Sequence, residues 1–283
     1  MVYLNFPRVL SFFFKICYYL ALYMILLFVE EKIPMLEIRQ LVKYFNSNPA
    51  LRGINLQLKR GEVYGLLGPN GAGKTTTLKI LAGLISPDSG EIFINGEPYH
   101  RDKSQLKQII AYVPDQPFVY PKLTGEEHLH FFADLYKMPS SQRMEKFDFY
   151  FRYFEFEVYR HELVETYSAG TRQKLLLTQA LMVEPQILLL DEPLTSIDPL
   201  VARKFKTLLK KVSSGGTVAL FATHILSLAR EVSRRLGIII DGKIITEGTI
   251  DELLNISADH EEDLEEFYFN TVMTYEKLIQ GQA

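Results

Sequence analysis

The stretch Gly68-Pro69-Asn70-Gly71-Ala72-Gly73-Lys74-Thr75 decides how this chain is read. It fits the pattern G-x-x-x-x-G-K-[ST]. In front of it, Val63-Tyr64-Gly65-Leu66-Leu67 is a nearly continuous apolar run, which reads as a strand buried on both faces. Behind it, Thr75 to Leu84 has helical spacing and stops at Ser86-Pro87-Asp88. Strand, glycine-rich turn and helix in that order make a cradle for phosphate. Glycines let the backbone wrap closely, and the N–H groups of the turn and helix start meet the negative charge. In such a cradle Lys74 reaches the terminal phosphates and Thr75 is placed to ligate Mg²⁺.

Working outward, a second half of the site is expected downstream. Ile187-Leu188-Leu189-Leu190 reads as a buried strand that ends in Asp191, a carboxylate positioned to hold Mg²⁺ through water. Glu192 follows, placed to polarise a water against the terminal phosphate. Val218 to Ala222 is another buried strand, with Leu200 to Val212 the helix between the two. Ile54 to Leu58 alternates apolar and polar, and Glu91 to Ile94 is a strand running into the hairpin turn Asn95-Gly96. Asp241-Gly242 marks a second hairpin between Ile238 and Ile245. Thr124 to Leu163 is helical and rich in aromatics, with Thr124 as the N-cap before Glu126-Glu127. The fold class that follows is α/β: a P-loop core with a mostly parallel sheet covered on both faces, an antiparallel β portion, and an inserted helical segment at about 120–180.

The chain has 283 residues, of which 31 are basic and 34 acidic, for a net charge of −3. That balance lacks the basic excess of a non-specific nucleic-acid binder, though it leaves room for a local basic patch. Cys17 is the single cysteine, so an intramolecular disulfide and a multi-cysteine zinc site are both excluded. Residues 1–34 differ from the rest: between Val9 and Val29 the only charge is Lys15. The run is long enough to span a bilayer. Yet its flanking charges would keep the N-terminus in the cytoplasm and send the cradle to the other side, away from cytosolic nucleotide. Two readings stand: an upstream extension ahead of Met35, or a membrane-associating segment. The expected organisation is this extension at 1–34, a main domain at 35–250, and an acidic tail at 251–283 containing Glu261, Glu262, Asp263, Glu265 and Glu266.

Several motifs in order resemble the nucleotide-binding domain of an ABC ATPase. They are the Walker A residues 68–75, the signature-like Tyr167-Ser168-Ala169-Gly170-Thr171, the Walker B run 187–191 with Glu192, the D-loop-like Ser196-Ile197-Asp198, and the switch-like His224. The resemblance covers about residues 35–250. It implies that Gly68, Pro69, Asn70, Gly71, Ala72, Gly73, Lys74, Thr75 and Thr76 bind ATP, with Phe45 (or its neighbour Tyr44) stacking on adenine. It implies Glu192 as catalytic base and His224 as sensor of the γ-phosphate. Two such domains in this family dimerise head to tail, so Ser168, Ala169 and Gly170 would meet the partner's ATP and Asp198 would join the two sites. Read without the family, Ser168 and Asp198 are helix N-caps, the latter before Pro199.

The chain departs from the family pattern twice. Its signature is Ser-Ala-Gly-Thr where Ser-Gly-Gly-Gln is usual, and in Val113-Pro114-Asp115-Gln116 an acid stands where glutamine normally follows proline. Asp115 is then the expected metal- or water-facing residue, a hard oxygen donor, with Gln116 in reserve. Acidic replacements of this kind, and the segment Pro117 to Gly125, resemble ATPases of bacterial ABC-2-type exporters. The helical segment in the family docks on membrane subunits. Phe147, Phe149, Tyr150, Phe151, Tyr153, Phe154, Phe156 and Tyr159 are more aromatics than one amphipathic stripe requires, so they read either as core or as interface anchors. The resemblance implies an ATPase using ATP and Mg²⁺, paired with a second ATPase subunit. It implies separate transmembrane permease subunits, no nucleic-acid partner, and a peripheral place on the cytoplasmic face of the membrane. The alternative is a soluble or regulatory ABC ATPase uncoupled from transport.

Overall fold

The computed structural model describes residues 33–100, 107–256 and 263–280. The expectation for the N-terminal apolar run falls on residues outside these. Two sheets organise the chain. Four antiparallel strands, β1 (Leu36–Phe45), β2 (Asn48–Leu58), β4 (Ser89–Ile94) and β5 (Glu97–Pro98), lie in the order β2-β1-β4-β5. Six more, β3 (Val63–Leu67), β6 (Ile110–Val113), β7 (Ile187–Asp191), β8 (Val218–Thr223), β9 (Arg235–Ile240) and β10 (Lys243–Thr249), lie in the order β10-β9-β3-β8-β7-β6. All their pairings are parallel except the β9–β10 hairpin.

Both hairpin expectations hold. Asn95-Gly96 and Asp241-Gly242 sit at φ 53°, 77° and 49°, 74°, the double left-handed turn that asparagine, aspartate and glycine tolerate best.

The central strands are apolar throughout because each face has its own core. In β7, Ile187 and Leu189 join the core beneath the antiparallel sheet, while Leu188 and Leu190 join the opposite one. In β8, Val218, Leu220 and Ala222 alternate in the same way with Ala219 and Phe221. The side-chain period of two sorts one run of leucines into two layers, and each buried leucine contributes about 1.5–3 kcal/mol.

The helices are α1 (Lys74–Leu81), α2 (Gly125–Leu135), α3 (Ser140–Tyr153), α4 (Ala169–Met182), α5 (Pro199–Ser214), α6 (Leu226–Val232), α7 (Ile250–Ile256) and α8 (Leu264–Gln280). Among the described residues no helix is long and apolar enough to cross a membrane. Most of the aromatic crowd in α3 is core. Phe147, Tyr150, Phe151 and Phe154 recur at helical spacing and are buried, and Phe156 joins them. Phe149 and Tyr159 face outward. Within the stretch expected as an acidic tail, Glu265 and Glu266 occupy the first turn of α8, where acids favour the helix start, and Leu264 and Phe267 pack into the larger core.

Candidate active site

The site gathers at the carboxyl ends of β3, β6, β7 and β8, where open parallel sheets place ligands. The loop after β3 is shaped by steric need. A Cβ on Gly68 would lie 2.2 Å from the Ile239 carbonyl oxygen, and one on Gly73, at φ 109°, 2.7 Å from that of Ala50. The β9–β10 turn braces the loop, since Gly242 N–H donates to the Ala72 carbonyl at 3.0 Å. Lys74 is buried and curls back, its Nζ donating to the carbonyls of Gly68 at 2.6 Å and Pro69 at 3.1 Å. Burial pulls its pKa down, while the charges of Glu192 and Asp191 hold it up.

Asp191 closes β7, is almost fully buried, and accepts from two hydroxyls: Thr75 Oγ1 on Oδ1 at 3.1 Å and Tyr112 on Oδ2 at 3.3 Å. Burial pushes its pKa above the ordinary carboxylate value; the charges of Asp115 and Glu192 add to this, and the two hydroxyl bonds oppose it. Such a carboxylate is under-compensated and suits a cation. Thr75, Asp191 and Asp115 offer only hard oxygens. Among the described residues no group of three His, Cys, Asp or Glu side chains forms a metal cage. That donor set fits Mg²⁺, which relies on waters and substrate phosphates for most of its ligands.

Glu192 and His224 are brought together from neighbouring strands. Glu192 sits at φ 45°, a left-handed conformation, and its N–H donates to the Ala222 carbonyl at 2.9 Å. Its Oε2 accepts from Thr223 Oγ1 at 2.9 Å; its Oε1 accepts from His224 N–H at 3.0 Å and lies 2.7 Å from His224 Nδ1. Glu192 is thus held rigidly while the His224 ring stays more than half exposed. Asp115 and Gln116 are both exposed beyond β6. Asp115 makes itself felt at Asp191 and Tyr112 through its charge. Phe45 and Tyr44 are half exposed at the tip of the β1–β2 hairpin, with Lys43 Nζ 5.7 Å from the Phe45 ring centre.

The signature-like residues lie elsewhere. Ser168 caps α4, its Oγ accepting from Thr171 N–H at 3.1 Å, and a Cβ on Gly170 would lie 2.5 Å from the Ser196 carbonyl oxygen. Asp198 caps α5 by accepting from Val201 N–H at 2.9 Å, with Pro199 next, and it pairs with Lys174 at 3.0 Å. Buried Gln173 donates to the Pro193 carbonyl at 3.2 Å. The start of α4 and the 193–198 loop therefore form one braced unit.

Sequence reasoning missed Tyr112, Thr223, Gln173 and Lys174. Tyr112 carried a signal: a phenol in an otherwise apolar strand, two residues before the loop of Asp115.

Comparison with known proteins adds the following. The family model described as ABC transporter matches residues 51–195. A probable multidrug ABC transporter ATP-binding protein, YbhF of Escherichia coli K12, is 34% identical over 228 residues, covering 81% of this chain; the chain spans only 39% of that relative's length. The linearmycin resistance ATP-binding protein LnrL of Bacillus subtilis is 32% identical over 219 residues, 77% of this chain and 70% of its own. A solved dimeric ATP-binding cassette in a post-hydrolysis state, bound to ADP and Pi, superposes with a TM-score of 0.70 at 26% identity, covering 76% of this chain and 98% of that one.

Proposed function

The chain belongs to the ABC transporter family, and from that premise we propose that it binds and hydrolyses ATP to power transport, by export, through separate membrane-spanning subunits. The carrying observation is the pairing of Glu192 with Thr223 and His224 beside the Asp191–Thr75 contact. Lys74 exchanges its two loop carbonyls for the β- and γ-phosphates, a fixed ammonium in place of fixed dipoles. Thr75, Asp191 and Asp115 would hold Mg²⁺, which when bound would neutralise charge developing on the phosphoryl oxygens. Glu192, its far oxygen anchored by Thr223, takes the proton of the attacking water, and His224 meets the γ-phosphate. Phe45, or Tyr44 beside it, stacks on the adenine.

A second ATPase subunit, a copy of this chain or a paired one, supplies Ser168, Ala169 and Gly170 to each ATP. Asp198, engaged by Lys174 within the chain, holds the braced loop that approaches the other site. ATP favours the closed pair and hydrolysis releases it, which is differential affinity turned into work on a partner. The partner face is the loop after β6. Phe118 is 74% exposed, and Tyr120 and Phe131, ring centres 5.0 Å apart, are partly exposed with it. Aromatic anchors of this kind suit a membrane subunit, and in this reading the chain works peripherally on the cytoplasmic face.

The test is ATP turnover by the full chain as a function of its concentration, beside Glu192→Gln. Turnover per molecule should rise with concentration. The Gln variant, whose carbonyl keeps the His224 N–H bond while its amide donates to the Thr223 hydroxyl, should bind ATP and pair but turn over at least ~100-fold slower. ATP binding with no turnover at any concentration, even with candidate membrane subunits added, would favour the regulatory reading instead.

A further inference from the structure

We propose that Tyr112 is a positioning residue for the metal carboxylate: its hydroxyl fixes the plane of Asp191 and ties that plane to the loop bearing Asp115. This rests on the ATPase reading above. Asp191 ends on an sp³–sp² torsion, which is intrinsically broad, so one hydrogen bond leaves its carboxylate free to turn. Two bonds fix it, one on each oxygen, from Thr75 and Tyr112. These two donors are not equivalent. Thr75 Oγ1 is itself expected to ligate the cation and then turns toward it. Tyr112 has no such second duty, so its bond is the restraint that persists when the site is filled.

The fold puts the phenol in place. Tyr112 lies on β6, the edge strand, opposite Leu189 of β7, two residues before Asp191. Its ring runs along the sheet toward the strand ends, packed against the core beneath the antiparallel sheet. Phenylalanine would fill that space equally well; only the hydroxyl reaches Asp191. Beyond Val113 the chain leaves the sheet as the loop carrying Asp115, Phe118 and Tyr120. A shift of that loop that drags the end of β6 moves the hydroxyl with it. Tyr112 thereby links the partner-facing loop to the cation site.

The experiment compares the wild-type chain with Tyr112→Phe, using Mn²⁺ as a paramagnetic substitute for Mg²⁺. Free Mn²⁺ is read by electron paramagnetic resonance with the chain in excess over ATP, so that the nucleotide, itself a Mn²⁺ chelator, is all bound. The variant should bind Mn²⁺ roughly tenfold more weakly, the usual loss for an outer-shell partner. The Mg²⁺ needed for half-maximal turnover should rise by the same factor, with turnover at saturating Mg²⁺ little changed. ATP binding in EDTA should match the wild type, while the ligand-free melting temperature should drop by a few degrees, because the buried Asp191 carboxylate loses one of its two donors. Mn²⁺ affinity within twofold of wild type overturns the inference while leaving the ATPase reading intact. So does an equal loss of metal-free ATP binding, which would show the hydroxyl supporting the nucleotide site as a whole rather than the metal carboxylate. Failure of the wild-type chain itself to bind Mn²⁺ with ATP overturns both.

Discussion

Asp191 carries the sharpest electrostatic conflict at the scale of single residues. Burial raises its pKa, and a carboxyl whose folded pKa stands above its unfolded one adds stability at low pH, stability that is lost as pH rises through the folded value. Near neutrality its charge is a net cost to the ligand-free fold. Asp191→Asn keeps the shape and removes the charge. It should raise the ligand-free melting temperature by roughly 2–4 °C and abolish Mg²⁺-dependent turnover, as scanning calorimetry at pH 7.5 and a phosphate-release assay would show. A lower melting temperature would mean that the Thr75 and Tyr112 bonds outweigh the buried charge. Glu192 shows a related tension: a left-handed, non-glycine residue costs about 1–3 kcal/mol and persists where neighbours over-determine it. Here the neighbours are Ala222, Thr223 and His224.

Among the elements, α2 shows most directly how a local signal becomes a fixed piece of structure. Thr124 and Glu127 close a reciprocal capping box, Oγ1 accepting from Glu127 N–H at 3.2 Å and Glu127 Oε2 from Thr124 N–H at 2.8 Å. One turn on, His128 is fully buried, and its Nε2 meets Gln179 Oε1 of α4 at 2.8 Å. Burial lowers its pKa below the ordinary histidine value. A histidine depressed in this way supports the fold above its unfolded pKa, and that support is lost as pH falls through the folded one. The melting temperature should therefore fall between pH 7 and pH 5, and His128→Gln should flatten that slope; an unchanged slope would assign it to other groups. Elements of this kind were legible in sequence where one local rule sufficed. Val63–Leu67 came from its apolar run, both hairpins from Asn-Gly and Asp-Gly, and the caps at Thr124, Ser168 and Asp198 from residue type. The aromatics of α3 were ambiguous because period and composition do not say which neighbour covers a face, and α8 was hidden behind its acidic first turn. Tyr112, Thr223 and Lys174 were missed for a different reason: each acts on a residue far away in sequence, and only the pairing of strands brings the two together.

For the molecule as a whole, the residue that leads into β1 belongs to the core. Met35 is fully buried, and its carbonyl accepts from Asn95 N–H at 3.0 Å. A chain beginning at Met35 should keep the concentration-dependent turnover of the full chain within about twofold and melt within ~2 °C of it. A tenfold loss of turnover would give the preceding residues a part in the chemistry. The order β10-β9-β3-β8-β7-β6 has a further consequence, for how the protein is made. Val63 pairs with Ala219 on one side, and Tyr64 with Arg235 on the other. A ribosome therefore releases the phosphate loop long before either flanking strand exists. At roughly 5–20 residues per second, that interval is on the order of ten seconds. During it, an apolar strand with two bare edges is exposed to whatever the cytosol offers, so the nascent chain, more than the finished protein, is where a chaperone has most to shield.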